Sequence, residues 1–228
     1  MISHFPSYLY DLVSFIASVS LIIAYHLFLR SKVKKNPTYT VQAINIIART
    51  AWVETIMKEK KDILAVQTLR NSTMAATFLA STAVLLIIGV LTLSESDKLQ
   101  ASWHVLNMVG AVHPEIWLVK LICLLLDLFV AFFSFSMSIR IFNHVGYLIN
   151  VPLELKHKMI SSVHVATHLN RAGKFYSIGM RAYYFTVPLV FWLFGPHFMF
   201  ISTIGLLIAL YRIDRAPKIM VMDYSDVE

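Results

Sequence analysis

Long apolar stretches alternate with short cationic ones along the whole chain. The first covers about residues 8–29 and ends directly on Arg30, Lys32, Lys34 and Lys35. The second, about 72–93, carries no charge and follows Arg70; the third, about 116–139, stops at Arg140. Each is close to the roughly 20 residues that an α-helix needs to cross a bilayer, and none shows the short alternating segments of a barrel strand. The last apolar run, RAYYFTVPLVFWLFGPHFMFISTIGLLIALYR (181–212), is too long for one crossing and barely long enough for two. Glycine ends helices, and proline can begin one but cannot sustain its hydrogen bonding from within. Gly195-Pro196 therefore predicts a turn between spans at about 176–194 and 196–212. The pattern predicts an all-α, polytopic membrane protein, one membrane domain over 1–228, with about five transmembrane helices. Four crossings plus a re-entrant hairpin is the alternative.

Between the spans, Asn36-Pro37 signals a turn, and Val41, Ile44, Ile47, Ala51, Trp52 and Ile56 then recur at helical spacing. This predicts a helix over about 38–66, either in the inner headgroup region or packed on its neighbours. A second cytoplasmic or interfacial helix is expected over about 153–171, after Pro152 breaks the third span. Ser72, Ala76 and Ala80 recur every four residues, as do Thr73, Thr77 and Ser81, giving small faces where another helix can approach closely.

Charge then orients the chain. With a turn at Gly195-Pro196, 18 of the 20 Lys and Arg residues share one side and only Lys98 and Lys120 do not. Cytoplasmic loops collect such an excess, so the N-terminus is expected outside and the C-terminus inside a bacterial inner membrane. The first residues, MISHFPSYLYD, lack the basic start and cleavage site of a signal peptide, so the first span is expected to be retained. Of the 228 residues 57% are hydrophobic and 14% charged, against about a quarter charged in soluble domains. The net charge of +7 flanks spans and forms no nucleic-acid module, so nucleic acid is not an expected partner. The single cysteine, Cys123, excludes an intrachain disulfide.

Few residues suggest chemistry. Asp127 lies mid-span, where a carboxylate costs several kcal/mol unless paired, hydrated or protonated, and Lys120 sits two turns earlier on roughly the same face. Together they form a candidate membrane-embedded polar pair. The open alternatives are a hydrogen bond from Asp127 to a Ser or Thr of a neighbouring helix, a proton or cation path, and a contact with a partner subunit. His164 and His168, four residues apart, could ligate a metal with help from His144 or His157, although HVATH has no acid of the zinc-protease kind. Interfacial histidines that bond locally are the plainer reading, and neither metal nor haem is expected. Arg140, Asn143, Asn170, Arg171, Arg181, Tyr183 and Tyr184 form a candidate collar for anionic lipid headgroups, and bound phospholipid is expected. At the outer side His104, His113 and Glu115 lie around Trp103 and Trp117, an ordered loop more than a metal site.

Three segments carry a family resemblance: ILAVQTLRNSTMAATFLASTAVLL (63–86), SFSMSIRIFNHVGYLI (134–149) and HLNRAGKFYSIGMRAYYFTVPLVFWLFGP (168–196). Through its LRN, IRxFN and RAYYF…GP elements the chain resembles the uncharacterised domain-of-unknown-function family 599, found in bacteria and plants. That resemblance implies an integral membrane protein and supplies no activity. P-loop, dinucleotide glycine fingerprint, nucleophile elbow and zinc-protease helix are all missing from the sequence, so the chain is not expected to be an enzyme of those kinds. The leading expectation is a non-catalytic accessory or scaffold subunit of a larger inner-membrane complex, with lipids and other membrane subunits or further copies of itself as partners. A small-solute, ion or proton transporter using Asp127 and Lys120 is the alternative, and a lipid- or metal-cofactor-binding membrane enzyme the second.

Overall fold

The computed structural model describes residues 7–94, 114–152 and 161–216. They form six helices and, among the described residues, no strand: α1 (Ser7–Lys35), α2 (Val41–Glu59), α3 (Asp62–Ser94), α4 (Pro114–Leu148), α5 (Ser162–Phe194) and α6 (Pro196–Asp214). Four of them, α1, α3, α4 and α6, are long and apolar enough to cross a membrane. Their apolar side chains, such as Phe78, Leu85, Phe133 and Ile201, lie exposed over the outer surface, as a helix bundle surrounded by hydrocarbon requires.

The last apolar run doubles back. Gly195 ends α5 with its N–H bonded to the Trp192 carbonyl, and at φ 147°, ψ 161° it occupies backbone space open essentially to glycine alone. Pro196 then starts α6, where its missing N–H is no loss. Arg181, fourteen residues before the turn, pairs with Asp214, eighteen after it, so the two helices run antiparallel and share one depth. A second tie fixes the far end of α6: the Ala216 N–H bonds the Tyr39 carbonyl beside a β-bridge between Thr40 and Arg215.

Helix ends differ from the sequence-based limits where capping decides. The helix expected over 38–66 stops at Glu59, because Lys60 takes a left-handed conformation (φ 51°) that closes α2, and Asp62 opens α3 with a carboxylate at the positive end of the helix dipole. Thr40 caps the other end of α2, its hydroxyl accepting from the Ala43 N–H. The span expected at 176–194 continues without a break into the described part of the helix expected at 153–171, as one α5 over Ser162–Phe194 capped by Ser161; residues 153–160 of that expectation lie outside the described residues. Val53, Ile56 and Met57 of α2 are buried against α3, α4 and α5, whereas Ile46 and Ile47 stay exposed. The half of α2 nearer its C-terminus is thus a packed helix.

α5 is the central element, lying against α4 along most of its length and against α2 and α6 on other faces. Its small residues permit this. Ser138 of α4 donates to the Ala172 carbonyl, and the fully buried Phe135 ring fits the notch left by Gly179. A Cβ on Gly179 would lie 2.8 Å from two Phe135 ring atoms, and that ring is caged by Tyr176 and Tyr183. Gly179→Ala is accordingly expected to destabilise the fold by about 1–2 kcal/mol, overpacking outweighing the helix propensity gained. Thermal unfolding in mild detergent checks it against Gly146→Ala, where the added methyl meets open space and no loss is expected.

Ala76 and Ala80 are buried, and Ala80 packs with Ala83 against Ala131 and Phe135 of α4, with Ser72 half-buried at the edge of the same stripe. In the parallel stripe Thr77 and Ser81 are exposed, and Thr77 bonds back to the Thr73 carbonyl. One small face is a packing seam and the other meets the surroundings.

Candidate functional site

Two polar layers cross the bundle. In the first, at the end that holds the Gly195 turn, Lys120 of α4 is buried and its Nζ lies 2.8 Å from Asp11 Oδ1 of α1. The Trp192 indole N–H donates to the same carboxylate oxygen at 2.8 Å, the ammonium stands over the indole face, and Phe15 stacks on that ring. Lysine, carboxylate and indole thus tie α1, α4 and α5 in one desolvated knot.

The second layer lies toward the opposite end, where the cationic runs Arg30–Lys35, Lys58–Lys61, Arg171–Lys174 and Arg212–Arg215 gather. Arg181 Nη2 donates to Asp214 Oδ2 at 3.1 Å, and the Tyr25 hydroxyl donates to that oxygen at 2.9 Å. Arg181 Nη1 meets His26 Nε2 at 2.6 Å, while His26 Nδ1 lies 2.8 Å from the Ile22 carbonyl. With Nδ1 donating to the carbonyl and Nε2 accepting from the guanidinium, one tautomer of the imidazole serves both partners.

Beside this layer α1 stands away from α4 and α5 and leaves a cavity of about 710 Å³, within the range of about 300–1,000 Å³ usual for small-molecule sites. Its walls are apolar: Val33, Ile46, Val130, Ile178 and Phe185. Its charged lining is uneven, with four cations, Arg30, Lys34, Lys174 and Arg181, against two carboxylates, Asp127 and Asp214. Arg30, Lys34 and Lys174 are exposed; Arg181 is held in the network above. Asp127 faces the cavity from α4 with its Oδ2 2.8 Å from the Thr186 hydroxyl of α5.

The residues singled out by sequence separate accordingly. Lys120 and Asp127 are not a pair: Lys120 reaches away from Asp127 to Asp11, because two helical turns of about 10 Å exceed what its side chain spans in the other direction. Asp127 bonds a threonine of the neighbouring helix instead. Of the proposed headgroup collar, only Arg181 lines the cavity. Tyr183 donates into the bundle, to the Leu79 carbonyl of α3, and packs on Phe135. Asn170 is a clasp between helices, accepting from Arg49 Nε and donating to Thr50 Oγ1 of α2. Arg140, Asn143 and Arg171 are exposed and Tyr184 is half-buried. His164 and His168 do meet, Nε2 to Nε2 at 3.1 Å, with the His144 ring against His168. Burial, the neighbouring imidazoles and Arg171 hold His168 below the ordinary histidine range. Among the described residues no group of three His, Cys, Asp or Glu side chains is placed to hold a metal. His104, His113, His157 and Trp103 lie outside the described residues. Sequence reasoning missed Asp11, Tyr25, His26, Asp214 and Thr186. A carboxylate just inside the first span and another between Arg212 and Arg215 were the available signals.

The family model described as Protein of unknown function, DUF599, matches residues 13–219. The chain belongs to this family. No curated protein and no solved structure matches it. The DUF599 match takes in the whole inner network and every residue lining the cavity, and leaves Asp11 just outside it.

Proposed function

We propose that this DUF599 member is a five-span membrane protein, N-terminus outside and C-terminus cytoplasmic, that holds an anionic amphiphile, an acidic phospholipid, in the cavity between α1, α2, α4 and α5. The observation that carries this reading is the joint character of the cavity: apolar walls continuous with the bundle and an excess of cations at the end where the cationic runs collect. Acyl chains match the walls, and a phosphodiester matches Arg30, Lys34 and Lys174. The orientation is supported by the same charge segregation, with Lys120 the one described Lys or Arg at the opposite end.

The test is lipid retention. Protein extracted gently and examined by native mass spectrometry is expected to keep phosphatidylglycerol in preference to phosphatidylethanolamine. At about 1 kcal/mol per cation, the triple variant Arg30→Gln, Lys34→Gln, Lys174→Gln should bind phosphatidylglycerol on the order of a hundredfold more weakly. Equal retention of the two lipids, or an unchanged affinity in the variant, would refute the reading.

A role as accessory or scaffold subunit is the wider setting proposed for such a protein. It is supported by α1, which packs chiefly on α6 and leaves Val13, Ile16 and Leu27 exposed for a neighbour. The transporter reading draws support from a different observation, the position of Asp127 on the cavity wall.

A further inference from the structure

Thr186 has one hydroxyl hydrogen and two acceptors within reach. Its Oγ1 lies 2.8 Å from Asp127 Oδ2 and 3.2 Å from the Ala182 carbonyl one turn back on α5. If Asp127 is ionised, the hydroxyl must donate to the carboxylate and give up the carbonyl. If Asp127 carries a proton, it donates to Thr186, and the threonine hydrogen turns to Ala182, so both bonds form at once. Protonation therefore completes this small chain, while the ionised carboxylate keeps the Thr186 bond with no cation paired to it among the described residues.

The charged and titratable groups that share the cavity lining with Asp127 are Lys174 and Arg181 of α5, His26, Arg30 and Lys34 of α1, and Asp214 of α6. Arg181 is committed to Asp214 and His26, and Arg30, Lys34 and Lys174 are the exposed cations assigned above to the phosphodiester. Asp127 has no salt-bridge partner among the described residues. A metal cation such as Na⁺ or Ca²⁺ would need several oxygen ligands, and beside Asp127 the structure shows the Thr186 hydroxyl, while Asp214 is taken by Arg181 and Tyr25. A proton needs only the oxygen it sits on.

We infer that Asp127 is a proton-binding site whose occupancy is linked to the amphiphile in the cavity: the acidic lipid binds the protein with Asp127 protonated, and each such binding event above the carboxyl's own pKa takes up one proton. This rests on the cavity reading. An anionic headgroup drawn to the exposed cations adds negative charge to the cavity that Asp127 lines, so ligand and ionised carboxylate oppose each other. By linkage, apparent affinity is greatest at low pH and falls as pH rises through the titration of Asp127 in the unliganded protein, by up to about tenfold per unit.

The experiment measures phosphatidylglycerol binding by the full chain in nanodiscs of zwitterionic lipid, from mildly acidic to mildly alkaline buffer, for wild type and Asp127→Asn. The phosphodiester does not titrate in this range. Wild type is expected to weaken as pH rises, and the variant, which keeps a neutral side chain of the same size, to bind tightly with a flat profile. In wild type alone, infrared difference spectra on adding the lipid at the alkaline end should show a carboxylic-acid C=O band appear that Asp127→Asn abolishes. Parallel pH profiles with binding intact, or no such band, would overturn the proton link and leave the cavity reading standing. No preference for phosphatidylglycerol at any pH would overturn both.

Discussion

Lys120→Ala is expected to destabilise the protein by about 3–5 kcal/mol, because it strands the largely buried Asp11 carboxylate without its cation. The Lys120 side chain is 4% exposed and that of Asp11 15%, so solvent screens the pair little. The indole N–H of Trp192 is too weak a partner to hold the charge alone. Removing both charges should be far milder. A Lys120→Met, Asp11→Leu double variant fills similar volume with apolar atoms, and hydrophobic replacement of a buried pair is often neutral. A double-mutant cycle followed by unfolding in increasing detergent denaturant reads the coupling. A loss below about 1 kcal/mol for Lys120→Ala would mean that the knot is wet and the pair behaves as a surface one.

That knot also marks the limit of what a sequence makes legible. Helix existence and the Gly195 turn were legible because hydrophobic length and the Gly-Pro pair are local signals, and the local physics decides them. Partner choice is not local. Two-turn spacing on one helix suggests Asp127 as the partner of Lys120, whereas its partner is 109 positions away on α1, a distance in sequence that carries no periodic signal. Tyr183 illustrates the same limit. An amphipathic ring near the end of a span suits the headgroup level, but Gly179 and Ala182 bring α4 so close that the ring turns inward, toward Phe135 and the Leu79 carbonyl.

The small-residue stripes were legible as a property and ambiguous as a location. Spacing put Ser72–Ala76–Ala80 and Thr73–Thr77–Ser81 on equal footing, and only the packing of α4 chose the first. Asp127 was visible at once, since a carboxylate in a long apolar run has few innocent explanations. Its cavity was not visible, because it arises from the separation of α1 from α4 and α5, a consequence of Arg181 and the Thr40–Arg215 bridge holding α1, α5 and α6 together at one end.

Arg181 is for that reason the second position where a single change should act strongly. Arg181→Ala is expected to lower stability by about 3 kcal/mol, the low end for breaking a buried pair, as the arginine and aspartate side chains retain 21% and 16% exposure. Asp214 would lose its cation and His26 the donor that fixes its tautomer. Arg181→Lys should recover only part of the loss: the guanidinium serves His26 from one nitrogen and Asp214 from another, and an ammonium on a flexible stem cannot hold both directions in one plane. Beyond overall stability, the damage should be local in a defined way. Hydrogen exchange at the Ala216 N–H, which bonds the Tyr39 carbonyl, should quicken by more than exchange in the α4–α5 seam, because the end of α6 is held by that bond and by the Arg181–Asp214 pair together. Asp214→Ala introduced on top of Arg181→Ala should then cost little further, since the charge left unpaired has been removed. Uniform quickening across the bundle, or a double variant as damaged as the two losses added, would show that Arg181 acts through general packing and not as the joint between α1, α5 and α6.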